Sequence, residues 1–295
     1  MTLYDLKSYG LVSPDVTNPK TGELFSDDMI IKITGELNKY GTTNVVYEID
    51  AGNIKDCESV YPKICTLVDD ADRNGIVSIG DKYQCKVKNY METGFENGYY
   101  FYVLSFNDDA TTNLIMERNI CEDGTVATAE NRCLVDWISK DDYEKISGLT
   151  WDVESSDTIY GPVTAMNYLN TATSSWSYIS NLNITYNDEG GNFINFKVTG
   201  KARLPYLNEV KAVGCEENSE LSCPIWMVDY LNNYREYQKN PIDSIFGYMT
   251  FSSSDKVFGA AWHISYFGEV FDGSRDISPY NGVRPVITIP NFNMS

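Results

Sequence analysis

The sequence predicts an α+β protein, in which a small β unit over residues 1–68 precedes a mostly β domain over residues 69–295 with two short helices. Three observations predict this class. Apolar runs of strand length alternate with turn residues, two apolar stretches that start at a proline have the length of short helices, and 42% of the 295 residues are hydrophobic. A chain of this length and composition can bury the cores of two compact domains.

The predicted strands occupy both units. In the first unit, residues 29–34 and 44–49 are rich in β-branched side chains, so we expect them to pair. In the second domain, the apolar runs at 99–106 and 113–116 predict strands, and turn residues flank them. The run at 282–289 predicts a last strand that closes the sheet.

The two predicted helices are short and apolar on one side. The first begins at Pro162 and ends before Ser174, and the second begins at Pro205 and ends at Gly214. Proline is tolerated in the first turn of a helix, and glycine commonly follows the last turn. Because each helix has a single apolar face, we expect both to cover a sheet.

The charge of the chain excludes two classes of partner. Its 42 acidic and 23 basic residues give a net charge of -19, which repels phosphate backbones and anionic lipid head groups. No apolar run approaches the ~20 residues that cross a bilayer, and no secretion signal is visible, so a secreted form is expected to be mature or trimmed. We therefore expect no nucleic-acid partner and no direct membrane contact by this chain.

The seven cysteines predict disulfides. None forms a Cys-x-x-Cys motif, which argues against zinc ribbons and thioredoxin-like sites, and short closed loops are typical of an oxidising compartment. Cys85 is left over, and it either is free and buried or replaces one partner of the first pair. The expected pairs are Cys57–Cys65, Cys121–Cys133 and Cys215–Cys223.

Several short sequence motifs occur in a fixed order between residues 76 and 290. They lie at 78–85, 101–104, 114–119, 161–169, 200–205, 222–224, 261–262 and 282–286, the last being Gly-Val-Arg-Pro-Val. This pattern resembles gut-bacterial prepilin-type proteins whose C-terminal domain is similar to the C-type-lectin and sulfatase-modifying-factor fold. Residues 1–50, with Gly10-Leu-Val and the turn at 18–22, are similar to the globular part of such pilins. The family's N-terminal cleavage site and membrane helix are absent, so either the chain starts after them or the pilin half of the resemblance is wrong.

The resemblance implies a function as well as a fold. It implies a non-enzymatic, extracellular protein of the bacterial surface or pilus that binds a ligand as an adhesin does. The partners it implies are a host, phage or microbial surface protein or glycan, and other pilin subunits. Because one fold hosts many functions, a lectin-like shape does not by itself imply sugar recognition.

Residues 70–81 match the spacing of a calcium-binding loop. A hard cation takes about six or seven oxygen ligands, and the tight turn between them requires a glycine, which Gly75 supplies. The last ligand position holds aspartate in place of glutamate, which weakens a bidentate clamp. The alternative is a β-hairpin that turns at Asn74-Gly75 into a strand over 76–79. The expected calcium ligands are Asp70, Asp72, Asn74, the Ile76 carbonyl, Ser78 and Asp81.

A second candidate site follows Trp262. Strand alternation places Trp262 and Ile264 inward and the side chains of residues 263, 265 and 267 outward. Rigid aromatic side chains beside adaptable polar ones are typical of binding surfaces, and the resembling domains diversify this region. The alternative is that Phe267 and Phe271 are core and the rest is a solvent loop. The expected ligand contacts are His263, Ser265, Tyr266, Phe267, Glu269, Phe271, Asp272, Arg275, Asp276, Tyr280 and Asn281.

No catalytic residues are predicted. The chain has one histidine and contains no Gly-x-Ser-x-Gly, His-Glu-x-x-His or phosphate-loop motif. Adjacent acids such as Asp141-Asp142 and Asp188-Glu189 are expected in solvated turns, since adjacency does not place two carboxylates across a substrate. Arg284 is interpreted as a structural residue that fixes the closing strand, with an anion contact as the alternative. Two alternative functions remain: a structural pilin subunit without its own ligand, and a carbohydrate-active enzyme.

Overall fold

The structure is a computed structural model of the chain. It describes residues 30–37, 43–50, 64–88, 98–107, 111–128, 131–150, 160–185, 197–228, 247–254, 260–265, 268–274, 281–291 and 294. The chain divides into two compact units, Met1–Pro62 and Lys63–Ser295. The expected boundary between residues 68 and 69 falls inside the first strand of the larger unit, because that strand pairs with the sheet that follows it.

The smaller unit contains a β-hairpin. Strands β1 (Ile30–Leu37) and β2 (Thr43–Asp50) pair antiparallel, with Ile30 opposite Asp50 and Leu37 opposite Thr43. The two strands contain most of the segments predicted to pair, and each extends a few residues further.

The described part of the larger unit combines ten strands with four helices. Its strands form a five-stranded sheet of order β12-β6-β5-β4-β3, a three-stranded sheet of order β11-β10-β9 and the pair β7-β8, and every pairing is antiparallel. The elements in chain order are β3 (Cys65–Asp69), β4 (Lys82–Cys85), β5 (Tyr99–Phe106), β6 (Thr111–Met116), α1 (Lys140–Ser147), α2 (Val163–Thr173), β7 (Leu182–Thr185), β8 (Lys197–Gly200), α3 (Leu207–Ala212), α4 (Ile225–Val228), β9 (Tyr248–Ser253), β10 (Ala260–Ile264), β11 (Val270–Ser274) and β12 (Val286–Pro290).

The five-stranded sheet is covered on both faces. Along β5, Phe101 and Val103 belong to one apolar cluster, which also contains the buried face of α2 and Trp176. Tyr102 and Leu104 belong to a second cluster with residues of α3, α4 and the three-stranded sheet. A strand that is buried on both faces needs apolar side chains at consecutive positions, which explains the apolar residues 101–104 in the run, broken by Ser105, that predicted β5.

Both predicted helices are present as α2 and α3, and two helices were not predicted. The first of these, α1, begins at Ser139, whose hydroxyl accepts a hydrogen bond from the Asp142 amide at 3.2 Å. It ends at Gly148, which adopts a φ of 69°. This serine cap and terminal glycine were visible in the sequence.

Three disulfides form within the larger unit. One of the three expected cysteine pairs is wrong. Cys121 bonds to Cys133 and Cys215 to Cys223, as the spacing predicts. Cys65 bonds to Cys85, not to Cys57, because the two cysteines lie directly opposite each other where β3 pairs with β4. Cys57 lies outside the described residues. Three disulfides are typical of an extracellular protein, and among the described helices none is long and apolar enough to cross a membrane.

Residues 282–286 join the two larger sheets. On one side, the Gly282 carbonyl accepts from the Met249 amide of β9 at 3.1 Å. On the other, the Pro285 carbonyl accepts from the Met116 amide of β6 at 2.8 Å. The segment passes so close to Asn119 that a Cβ at Gly282 would lie 2.3 Å from its side-chain nitrogen. Glycine is therefore required at this crossing.

Arg284 occupies the centre of this segment and is completely buried. Its guanidinium donates to the carbonyls of Met116 and Met227 and, at 3.1 Å, to that of Trp226. It also lies 4.9 Å from the ring centre of Tyr248. These contacts connect β6, α4 and β9, so the structural interpretation of Arg284 holds and the anion-contact alternative does not.

Candidate functional site

The loop of residues 70–81 connects β3 to β4 and is anchored to β5. The Gly80 amide donates to the Val103 carbonyl at 2.9 Å, and the Val103 amide donates to the Asp81 carbonyl at 3.0 Å. Asp81 is 1% exposed, and its carboxylate accepts from the amides of Ala71 at 2.9 Å and Ser78 at 2.7 Å. The carboxylate of Asp81 thus ties the two ends of the loop together.

Asp70 organises the tight turn of the loop. Its carboxylate accepts from the Gly75 amide at 2.8 Å and the Asn74 amide at 3.3 Å, and Gly75 has a φ of 72°. The hydrogen bond from Gly75 is the main reason that the pKa of Asp70 lies below its usual value, although burial opposes the shift. The carboxylate is therefore ionised at neutral pH.

The loop gathers the six predicted oxygen ligands in one short segment. Carboxylate oxygens of Asp70, Asp72 and Asp81 lie within 4.8 Å of one another. Between them, the Asn74 amide nitrogen donates to Asp72 at 2.6 Å and the Ser78 hydroxyl donates to the Ile76 carbonyl at 3.0 Å. Carboxylate oxygens carry several lone pairs, so these hydrogen bonds leave acceptor capacity for a hard cation.

The hairpin alternative for this loop is not observed. Residues 76–79 form no strand, and the Ile76 side chain is 70% exposed. The connection from β3 to β4 is closed by bonds between carboxylates and backbone amides, not by a two-residue turn.

The second candidate site includes the hairpin of β10 and β11. Trp262 and Ile264 are buried, as alternation predicts. His263 lies opposite Phe271 in the strand pairing, and their rings meet edge to face with centres 5.4 Å apart. Phe271 is 41% exposed, so the core alternative for this side chain is wrong.

Two side chains predicted to face outward are less exposed than expected. Ser265 is buried, because β10 ends at Ile264 and the chain turns back; the Ser265 amide donates to the Glu269 carbonyl at 3.0 Å. The Ser265 hydroxyl also donates to the Glu269 carboxylate at 3.4 Å. Burial raises the pKa of Glu269, and the nearby Glu220 adds to the shift. His263 is half-buried, and this burial lowers its pKa to about 4 despite the opposing effect of Asp272.

Some of the remaining predicted ligand contacts belong to the residues that the structure describes, and others do not. Asp272 is half-buried and accepts from the Ser254 hydroxyl at 3.1 Å. Asn281 is half-buried, and its carbonyl accepts from the Val135 amide at 3.1 Å. The structure therefore brings His263 and Phe271 together on one face of the hairpin, whereas Asp272, which lies opposite the buried Trp262, faces the other side. The predicted contacts outside the described residues are Tyr266, Phe267, Arg275, Asp276 and Tyr280.

Comparison of the chain with protein-family models, with curated proteins and with solved structures finds no match. The function proposed below therefore rests on the geometry of the described residues and on the sequence resemblance.

The burial of His263 predicts a pH-dependent stability. A histidine has a pKa of about 6.5 in the unfolded chain, against about 4 in the folded one. Between these values the unfolded state takes up a proton that the folded state does not, so stability falls as the pH is lowered. From pH 7 to pH 5 we expect His263 to contribute a loss of about 2 kcal/mol.

Urea unfolding of the native protein and of His263→Gln at both pH values measures this contribution. Because His263 is the only histidine in the sequence, the difference between the two proteins isolates it. If the free energy of unfolding falls by the same amount in both proteins between pH 7 and pH 5, the imidazole is solvated and His263 is not buried on the hairpin.

Proposed function

We propose that the chain is an extracellular, non-enzymatic protein of a bacterial surface or pilus that binds a ligand as an adhesin does. The ligand surface runs from the β10–β11 hairpin to Asn281. The observation that carries this proposal is Phe271, a large aromatic side chain that is 41% exposed on the edge strand of the three-stranded sheet. It is held in place by the ring of His263.

The chemistry of this surface fits recognition of another molecule. An aromatic side chain that packing has already fixed loses little conformational entropy on binding. The half-buried carboxylate of Glu269, which precedes β11 by one residue, adds hydrogen-bond acceptors beside this surface. The three disulfides support an extracellular setting. The lectin-like arrangement and the bacterial surface come from the sequence resemblance.

The candidate catalytic groups support a non-enzymatic function. His263 is neutral at pH 7 and packs against Phe271, which makes it a poor proton acceptor. Asp141 and Asp142 lie in the first turn of α1, where acidic side chains favour the helix, and Asp142 accepts a hydrogen bond from the Thr164 hydroxyl. The pair Asp188-Glu189 lies outside the described residues.

One observation favours the alternative of a structural pilin subunit. Aliphatic side chains are exposed together at the edge strand β3 and in the loop that follows it. A subunit interface needs such a surface, although its area must reach about 800 Å² on each partner. The exposed side chains are those of Leu67, Val68, Ile76, Val77 and Ile79.

We further propose that residues 70–81 bind calcium. The support is that the carboxylates of Asp70, Asp72 and Asp81 lie close enough together to coordinate one ion. The spacing of the oxygen-bearing residues in this loop also matches that of a calcium-binding loop. Bringing three carboxylates together costs electrostatic energy, which a divalent cation offsets. A bound ion would stabilise the connection between β3 and β4 at the edge of the five-stranded sheet.

Calcium is expected to stabilise the native protein and not a variant with Asp70→Asn and Asp72→Asn. At a free concentration of about 100 times Kd, binding contributes about 2.7 kcal/mol, which raises Tm by about 5 °C or more. Thermal unfolding with calcium and with a chelator measures the shift. Asp141→Asn, an exposed acid on α1, is the matched control and should keep the full shift. Equal melting of the native protein in calcium and in chelator would rule out the site.

The ligand surface is tested by a binding screen and a variant of Phe271. The native protein, with and without calcium, is screened against arrays of glycans and of bacterial and mucosal proteins. For a hit that uses this surface, Phe271→Ala is expected to weaken Kd at least about tenfold, because it removes a fixed aromatic contact.

The control for this screen is Phe106→Ala. Phe106 ends β5 and is 48% exposed, close to the exposure of Phe271, so the two substitutions remove the same side chain from different sheets. A ligand that binds Phe271→Ala and Phe106→Ala with the same Kd as the native protein would contradict the proposed surface. The absence of any hit would favour the structural pilin subunit.

A further inference from the structure

A polar cleft lies where α3 packs against β5 and β6. Its volume is about 530 Å³, within the range of about 300–1,000 Å³ that is typical of small-molecule sites. Side-chain amides and hydroxyls line it together with apolar atoms, and no described residue of the β10–β11 hairpin contributes to it. The amides belong to Asn107, Asn113 and Asn208, and the hydroxyls to Ser105 and Ser252.

A β-bulge creates the floor of this cleft. The pairing of β5 with β6 shifts between Val103 and Ser105, which places Ser105 opposite Asn113. Both side chains then reach the same carboxylate on α3: the Ser105 hydroxyl donates to Glu209 at 2.8 Å, and the side-chain nitrogen of Asn113 lies 3.3 Å from it. Bulges commonly re-aim side chains beside functional sites.

The floor is fixed by hydrogen bonds before any ligand arrives. Asn113 is 4% exposed, and its amide donates to the Ser105 hydroxyl at 2.9 Å. The amides of Asn113 and Asn107 also donate to each other, at 3.0 and 3.1 Å. The Thr288 hydroxyl donates to the side-chain oxygen of Asn113 at 2.8 Å. Such preorganisation on strands lowers the entropic cost of binding.

The two charged residues in the wall neutralise each other. Arg203 donates from both terminal nitrogens to the two carboxylate oxygens of Glu209, at 2.6 and 2.7 Å. Burial disfavours both charges, but the pairing prevails: it lowers the pKa of Glu209 and raises that of Arg203. The cleft therefore offers no unpaired charge of this ion pair to a charged ligand, and the chain's net charge of -19 repels anions.

Tyr206 adds an aromatic surface to this polar lining. Its ring is held between the Arg203 guanidinium, 4.2 Å from the ring centre, and Phe251, whose ring centre is 5.5 Å away. The cleft thus combines a fixed aromatic ring with amides that both donate and accept hydrogen bonds. A neutral saccharide presents the complementary groups, since its hydroxyls donate and accept and its apolar C–H groups match the apolar atoms of the lining.

We propose that this cleft binds a neutral saccharide of one or two rings, as a site separate from the β10–β11 surface. Two exposed asparagines bind the sugar hydroxyls directly. Asn208 uses its side-chain amide, and Asn107 accepts through its side-chain oxygen, because its two N–H groups already donate to Thr111 and Asn113. The Arg203–Glu209 pair holds α3 in position against the sheet.

Saturation-transfer NMR on the whole chain tests this site. The neutral probes are glucose, galactose, mannose, N-acetylglucosamine, N-acetylgalactosamine and their disaccharides, and the charged probes are N-acetylneuraminic acid and glucose 6-phosphate. At least one neutral probe is expected to receive saturation. Asn107→Ala and Asn208→Ala are each expected to weaken its Kd by about tenfold, the loss of one or two hydrogen bonds.

Two controls separate this site from the surface proposed above. Asn167→Ala removes an exposed asparagine of α2 that does not line the cleft and should leave Kd unchanged. Phe271→Ala should also leave it unchanged. Saturation of the charged probes alone, of no probe at all, or of a neutral probe whose Kd both cleft variants leave intact would overturn the proposal. A Kd that only Phe271→Ala weakens would do the same while supporting the hairpin surface.

Discussion

The buried guanidinium of Arg284 joins the two larger sheets, and the positions of both candidate ligand surfaces depend on it. Removing a charged group from water costs several kcal/mol unless its donors are paired. Arg284 meets this condition by donating to carbonyls of β6 and α4 beside the ring of Tyr248 on β9. Only a planar group with several fixed donors can serve acceptors from separate elements at once.

The same segment positions the hairpin surface and the cleft. Through Met249 it is bonded to β9, which pairs with β10 and thereby orients His263 opposite Phe271. Through Val286 it is bonded in both directions to the backbone of Arg203, at 2.8 and 2.9 Å. Arg203 in turn holds Glu209 and α3 against the sheet. Strands carry His263, Phe271, Ser105 and Asn113 of these surfaces, and α3 carries Asn208 and Glu209.

The sequence predicted the parts of this fold that local patterns determine. Strand β5 spans the predicted residues 99–106, since a strand buried on both faces leaves a nearly continuous apolar pattern, here broken by Ser105. A proline precedes each of the two predicted helices because it is tolerated there. The grouping of Asp70, Asp72 and Asp81 in the loop at 70–81 was also predictable, because these residues are close in the chain.

The features that the sequence did not predict depend on contacts between distant residues. Cys65 pairs with Cys85 because of the register of β3 and β4, which cysteine spacing does not encode. Ser265 is buried because β10 ends one residue before it, where simple alternation would have continued. The cleft was missed altogether: Ser105 in its floor and Glu209 in its wall are separated by 104 positions in the chain, and a bulge brings them together.

Native-state hydrogen exchange at the joining segment tests the role of Arg284 most directly. In the native protein the amides of Met116, Met249 and Val286 should exchange only through global unfolding, because each lies in this segment or donates to it. In Arg284→Lys they should exchange at least about a hundredfold faster, since lysine leaves buried carbonyls unpaired at a cost of about 1–3 kcal/mol each. Arg118→Lys, at an exposed position, is the control and should not change these rates. Unchanged rates in Arg284→Lys, or local exchange of these amides in the native protein, would show that the two sheets are held together by something other than this buried arginine.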